Sequence, residues 1–288
     1  ENYEKFANFE IYKKEFLKIQ KQFLNVGITT IQELYVTGKE FVFWKKLSEA
    51  NLLELDVIAY IDIKNAKEVM DNNCRTYRKY KNHFRLGGYS LAIDGNILDI
   101  KAWLKKPYKH EGGYVGFSEY YDEQLLFLIK TALEEKKQLV VETNGDKAVE
   151  QFLRVFEEVV KKEKVEDNFK PIALKCNILN KKQLLKMQEL QISPSFQFDD
   201  LISHKKELRK VLGRARTSKL KPIAVLKNQN MTFLLQNERN EIVAPFELAK
   251  SISTENVSVL SNKQKIGFDD ALKVLILNSA KSLFDQEQ

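Results

Sequence analysis

Cysteine, histidine and arginine are all scarce in this sequence, and each scarcity removes a class of chemistry. Only Cys74 and Cys176 occur among 288 residues, in unrelated contexts. There is neither a disulfide framework nor a cysteine-based zinc spacing, and the setting they imply is reducing and cytoplasmic. Three histidines, His83, His110 and His204, are too few and too scattered to form a metal or catalytic cluster by themselves. No stretch approaches the roughly 18 uninterrupted apolar residues of a membrane span, and the opening ENYEKFANFE lacks the apolar core of a secretion signal. A GxGxxG run is also missing, which removes the usual dinucleotide-binding reading of an α/β chain.

The chain is nevertheless basic, with 47 Lys and Arg against 40 Asp and Glu and a net charge of +7. Eight of the 47 are Arg, which leaves 39 Lys, and a lysine excess alone says little about an anionic partner. The densest basic run, HKKELRKVLGRARTSKLK from His204 to Lys221, has Leu and Val at helical spacing and no aromatic residue on which a base could stack. It reads as a solvated helix and loop, so neither nucleic acid nor membrane is expected as a partner.

An apolar content of 43% suffices for a filled core. The apolar pattern alternates between short β-rich runs and longer 3.6-period segments. After an opening helix through about Leu24, the expected strands are ITTIQEL (28–34), LDVIAYIDI (55–63), YSLAIDG (89–95), LVVETNG (139–145), PIALKCNIL (171–179), ISPSFQF (192–198) and PIAVLKN (222–228). Strands this short, apolar on both faces and each followed by a helix, suit a parallel sheet in a doubly wound fold or a (β/α)8 barrel. Seven is one short of a barrel.

Several segments together carry a family resemblance. GITTIQEL from Gly27 is similar to a second barrel strand; RLGGYSLAIDGNI (85–97) and KPYKHEGGYVGFS (106–118) are similar to a fourth-strand motif and its loop; VVETNGDKAVEQFL (140–153) is similar to a fifth strand ending His-Ala-Asn-Gly-Asp. KPIALKCNI, SPSFQF and IAVLKNQNMT follow in the order of the remaining strands. The ensemble resembles the amidohydrolase superfamily, specifically the family-3 branch of metal-dependent hydrolases. That resemblance implies an α/β fold of the TIM-type (β/α)8 barrel kind, as a single domain over 1–288. It would comprise βα units 2 to 8, with helix 1–25 before strand 2, and would lack strand 1 and the flanking small β-domain. The family's strand ends hold one or two divalent metals, usually zinc, which polarise a carbonyl and supply hydroxide for hydrolysis of amide, imide or related C–N bonds.

Carried over position by position, the resemblance implies a degenerate metal site. The carboxylated lysine of the fourth strand falls on Ser90, the fifth-strand histidine on Glu142, the sixth-strand histidine on Lys175 and the eighth-strand aspartate on Asn228. A hydroxyl cannot become a carbamate, and an amide is no general base. The first-strand His-x-His is absent. An ammonium at Lys175 would stand where the cation belongs, so Lys175 is expected to pair with Glu142, and no cofactor is expected. Asp94 is a turn residue whose catalytic role is the less favoured reading, and Asp146 is the expected N-cap of the helix after Gly145.

Without a first strand, the outer strands need cover from self-association, an upstream segment or the opening helix. The function these residues imply is a non-catalytic relative, a pseudoenzyme that binds a small molecule or a protein. The alternative is an active C–N hydrolase whose zinc ligands are completed by an upstream segment.

Overall fold

The computed structural model describes residues 9–163, 169–198, 201, 203–236, 242–253 and 265–283. Its contacts group into two compact units, Glu1–Ser90 with Ile242–Pro245 and Leu91–Glu241 with Phe246–Gln288. Among the described residues there are seven strands, and within each unit they neighbour one another in chain order. Every strand pair with a described register is parallel. None of the described helices is long and apolar enough to cross a membrane.

In the first unit, helix α1 (Phe9–Asn25) precedes strand β1 (Thr30–Val36), helix α2 (Gly38–Glu49), strand β2 (Asp56–Asp62), the short helix α3 (Lys67–Asn72) and strand β3 (Phe84–Ala92). Helix α2 begins where Thr37 and Glu40 cap each other's backbone N–H groups, a reciprocal arrangement that satisfies two otherwise orphaned donors. Phe16 of α1 meets Trp44 of α2 edge-on at 4.8 Å. Gln20, fully buried, donates to Leu52 O at 3.2 Å and accepts from Glu54 N at 2.9 Å, which ties α1 to the approach of β2. Strand β2 is buried from Val57 to Ile61, as a strand covered on both faces must be. On β3, Gly87 leaves room for the Tyr60 ring, because a Cβ there would stand 2.6 Å from Ile58 Cγ2 and 2.8 Å from Tyr60 Cζ.

The second unit holds helix α4 (Asp122–Glu134), strand β4 (Leu139–Thr143), helix α5 (Asp146–Lys162), strand β5 (Ile172–Lys175), helix α6 (Lys181–Glu189) and strand β6 (Ser193–Gln197). After them come helices α7 (Lys205–Leu212), α8 (Arg214–Thr217) and α9 (Ile223–Asn228), then strand β7 (Leu234–Gln236). Helix α5 buries Val149, Phe152, Leu153, Phe156 and Val159, an i, i+3, i+4, i+7 face against the sheet.

Two expectations need correction. PIAVLKN is not a strand: residues 223–228 are helix α9, and the seventh strand lies later, in FLLQ. Ile223, Ala224 and Leu226 are buried while Val225 and Lys227 face outward, a helical face that a short apolar run cannot distinguish from a strand by composition. Asp146 is also not the N-cap; Gly145 holds that position and Asp146 is the first helical residue.

Gly87→Ala should lower the unfolding free energy by about 1–3 kcal/mol through overpacking, measured by urea denaturation. Tyr60→Leu in the same background should recover part of the loss. Unchanged stability of the single variant would show that β2 and β3 tolerate the added methyl.

Candidate functional site

The second unit gathers a buried polar group at the C-terminal ends of β4 and β5. Strand β4 is apolar through Val141 and then delivers Glu142 and Thr143, with Asn144 and Gly145 in the turn to α5. Strand β5 ends on Lys175, followed by Cys176 and Asn177. Lys175 and Cys176 both adopt left-handed backbone, at φ 65° and 38°. Such a pair of non-glycine residues is strained and needs support. That support comes from Cys176, whose N–H donates to Thr143 O at 3.0 Å while its buried thiol lies 3.4 Å from Thr143 Oγ1. Burial pushes the thiol up to about 12, so it is a packing group and not a thiolate ligand.

Lys175 Nζ lies 2.9 Å from Glu142 Oε1, with the two side chains 17% and 11% exposed. The pairing expected between these residues is therefore present. The same Oε1 accepts from Asn144 Nδ2 at 2.9 Å, and Asn144 Oδ1 accepts from Asn177 Nδ2 at 3.2 Å. The result is a chain Lys175, Glu142, Asn144, Asn177 that ends on a buried amide oxygen: Asn177 Oδ1 has no hydrogen-bond partner among the described residues. Lys221, fully buried, donates its backbone N–H to Asn177 O at 3.0 Å and its ammonium to Gln197 O at the end of β6.

Asp94 lies in the turn after β3 and is buried. Its Oδ1 accepts from Asn144 N at 2.7 Å, and its Oδ2 accepts from Trp103 N at 2.7 Å and Gly145 N at 2.8 Å. With both oxygens engaged by backbone donors, it pins two loops together. Burial pushes its carboxyl up to about 7, opposed by those three N–H groups and assisted by the Glu142 charge. A Cβ on Gly145 would stand 2.0 Å from Trp103 O, so the close approach requires glycine. Asp146 adds a further tie, its Oδ1 accepting from Lys105 N at 2.8 Å.

The remaining candidates lie elsewhere. Ser90, in the first unit, uses its hydroxyl structurally: it accepts from Tyr35 N at 2.8 Å and lies 3.1 Å from Tyr60 O, to which it donates. Asn228 sits at the end of helix α9, not at a strand end; β7 ends on Gln236, and Asn237 beyond it lies outside the described residues. His83 precedes β3, 2.8 Å from Asp56, and His110 and His204 are exposed in loops. Asn144, Asn177 and Lys221 were not anticipated. No sequence pattern singled out any of the three or joined them to one another.

These residues do not fit a divalent cation. Among the described residues no group of three or more His, Cys, Asp or Glu is placed to hold a metal ion. The one carboxylate at these strand ends that is not wrapped in backbone donors already faces an ammonium.

The sequence pattern described as the amidohydrolase family matches residues 7–288. The chain belongs to the amidohydrolase family. No curated protein matches it. Among solved structures it is similar to an uncharacterized metal-dependent hydrolase from Pyrococcus furiosus, at TM-score 0.82 and 20% identity over 97% of this chain and 57% of that one. A counterpart from Pyrococcus horikoshii OT3 gives 0.81 and 20% over 96% and 56%. Atrazine chlorohydrolase from Arthrobacter aurescens TC1, solved with zinc and atraton, is more distant at 0.58 and 9%, over 96% and 60%. The amidohydrolase fold is thus common to all of them, and this chain spans little more than half the length of the two Pyrococcus proteins.

The raised Asp94 value favours the protonated carboxyl in the folded chain. That contribution is fully present below about pH 4, the ordinary carboxylate range, and is lost as pH rises through about 7. Between those limits the unfolding free energy of the native chain should fall relative to Asp94→Asn, by an amount on the order of a few kcal/mol. Parallel urea titrations at three pH values measure it, and parallel curves would refute it.

Proposed function

We propose that this member of the amidohydrolase family is a non-catalytic relative that binds a small polar molecule or a protein at the β4–β5 strand ends without a metal. The observation supporting this reading is the Lys175–Glu142 ion pair, a positive charge and its counter-charge at the ends of β4 and β5, which in this reading take the place of a metal and a base. The amide chain beyond it offers Asn177 Oδ1 as an acceptor, which suits a ligand bearing an N–H or O–H donor. In this reading the seven strands correspond to the second to eighth strands of a (β/α)8 barrel.

A second reading is favoured by the length of the relatives, of which this chain spans 57% and 56%. In it, a segment beyond these residues completes a zinc site, and the assembled protein hydrolyses amide or imide C–N bonds.

A double-mutant cycle on Glu142→Gln and Lys175→Met tests the first reading. Each single change should cost about 3–5 kcal/mol by leaving a buried charge unpaired, and the double variant should recover about 1–3 kcal/mol of coupling. Elemental analysis of the purified chain should show no stoichiometric zinc, and N-acyl and cyclic imide substrates should remain intact with or without added zinc. Strictly additive losses, copurified zinc or turnover would overturn the metal-free reading.

A further inference from the structure

The net charge is not spread over the molecule. The loop 101–111 and the segment 204–219 together contain eleven basic residues and two acidic ones, a net +9 against +7 for the whole chain, so the remaining residues carry a net −2. The fold brings these two segments, distant in sequence, into contact within the second unit. Arg216 donates to Lys106 O at 2.9 Å through Nη1, and its Nη2 donates to Pro107 O. Lys109 N donates to Val211 O at 2.8 Å, and the Lys109 side chain lies over Gly213, whose missing Cβ makes the space.

Lys109, Arg209, Lys210 and Arg214 are exposed and make no ion pair among the described residues, so their charge is turned to solvent. Burial and the Arg209 charge hold the Lys205 ammonium below its ordinary value, as a crowded positive surface would. On α7, Leu208 and Leu212 are buried and Val211 is half-buried, so that helix turns no fully exposed apolar side chain toward a bilayer. An aromatic platform lies in the same loop as Lys109. Tyr114 stacks on the buried Tyr108 at 6.3 Å and 21°, pairs with it through Tyr108 N to Tyr114 O at 2.9 Å, and is 41% exposed.

We propose that this surface binds single-stranded nucleic acid, with backbone phosphates on Lys109, Arg209, Lys210 and Arg214 and a base stacked on Tyr114. The basic run read in isolation lacks a stacking residue; the loop supplies it. Phosphates tracked by flexible basic side chains, with a π-face between them, are what sequence-tolerant single-strand binding requires.

The test is fluorescence anisotropy of the whole chain with a labelled oligonucleotide of about 12 nucleotides, titrated across salt concentrations. Four phosphate contacts give a slope of about −3 in log K against log salt. The triple variant Arg209→Glu, Lys210→Glu, Arg214→Glu should weaken binding more than about tenfold, and Tyr114→Ala about tenfold. A control of equal charge, Lys18→Glu, Lys39→Glu, Lys45→Glu on the first unit, should change it less than about threefold, a loss of long-range steering alone. All the substituted side chains are exposed, and urea midpoints near the native value confirm that the variants fold. No saturable binding at low salt, equal losses in the two triple variants, no effect of Tyr114→Ala, or a preference for anionic vesicles over the oligonucleotide would each overturn the proposal.

Discussion

The ion pair between Lys175 and Glu142 governs the polar end of the second unit. Two charges taken largely out of water are stable only when they satisfy one another and the remaining lone pairs find donors. Here one carboxylate oxygen serves both the ammonium and the Asn144 amide. The cost is carried by the backbone, which adopts left-handed geometry at Lys175 and Cys176 so that the chain can turn out of β5 at that point. Glycine would relax that turn but could not supply the ammonium. The strain at β5 and the charge at β4 are therefore one feature, and changing either partner alters both.

Asp94 performs the complementary task for the loops. Three backbone N–H groups from two separate turns converge on its carboxyl, and Gly145 lets the Trp103 carbonyl approach where any side chain would collide. Asn144 is held between Asp94, through its backbone, and Glu142, through its side chain. The orientation of the amide chain toward Asn177 thus depends on Asp94 as well as on the ion pair. A carboxylate at a strand end invites a catalytic reading, and only its hydrogen-bond partners reveal the structural one.

Much of the alternation of strand and helix could be read from the residues, because buried parallel strands such as Val57–Ile61 and Leu139–Val141 are continuous apolar runs and α5 displays its periodicity openly. The Glu142–Lys175 pair was legible through the family resemblance, which set both residues on positions where relatives hold a metal. The exceptions have specific causes. Residues 223–228 are too short a run for period to decide between helix and strand, and misplacing that strand carried Asn228 to a position it does not hold. Asp146 looked like a cap because the Asn-Gly-Asp order is compatible with either cap position; the loop from Lys105 decided by taking its carboxylate. Asn177 and Lys221 meet through backbone and chain turns that leave no trace in spacing.

The charge distribution shows why sequence-local reading has this limit. In sequence, 204–219 is a basic helix with nothing aromatic beside it, and 101–111 is a loop with a few lysines; each is unremarkable alone. Their contact depends on Arg216, whose guanidinium donates to loop carbonyls as well as carrying charge, and so joins the two segments while adding to their repulsion. Burial lowers its affinity for a proton, opposed by the nearby Asp146 and Tyr108. Evenly distributed lysines would give the same net charge with no such concentration. A surface that gathers like charges against their mutual repulsion, while the rest of the chain is slightly acidic, needs either strong local tethers or an anion to relieve it. The described residues provide the tethers, in hydrogen bonds from Arg216 and Lys109, but place no carboxylate against Lys109, Arg209, Lys210 or Arg214.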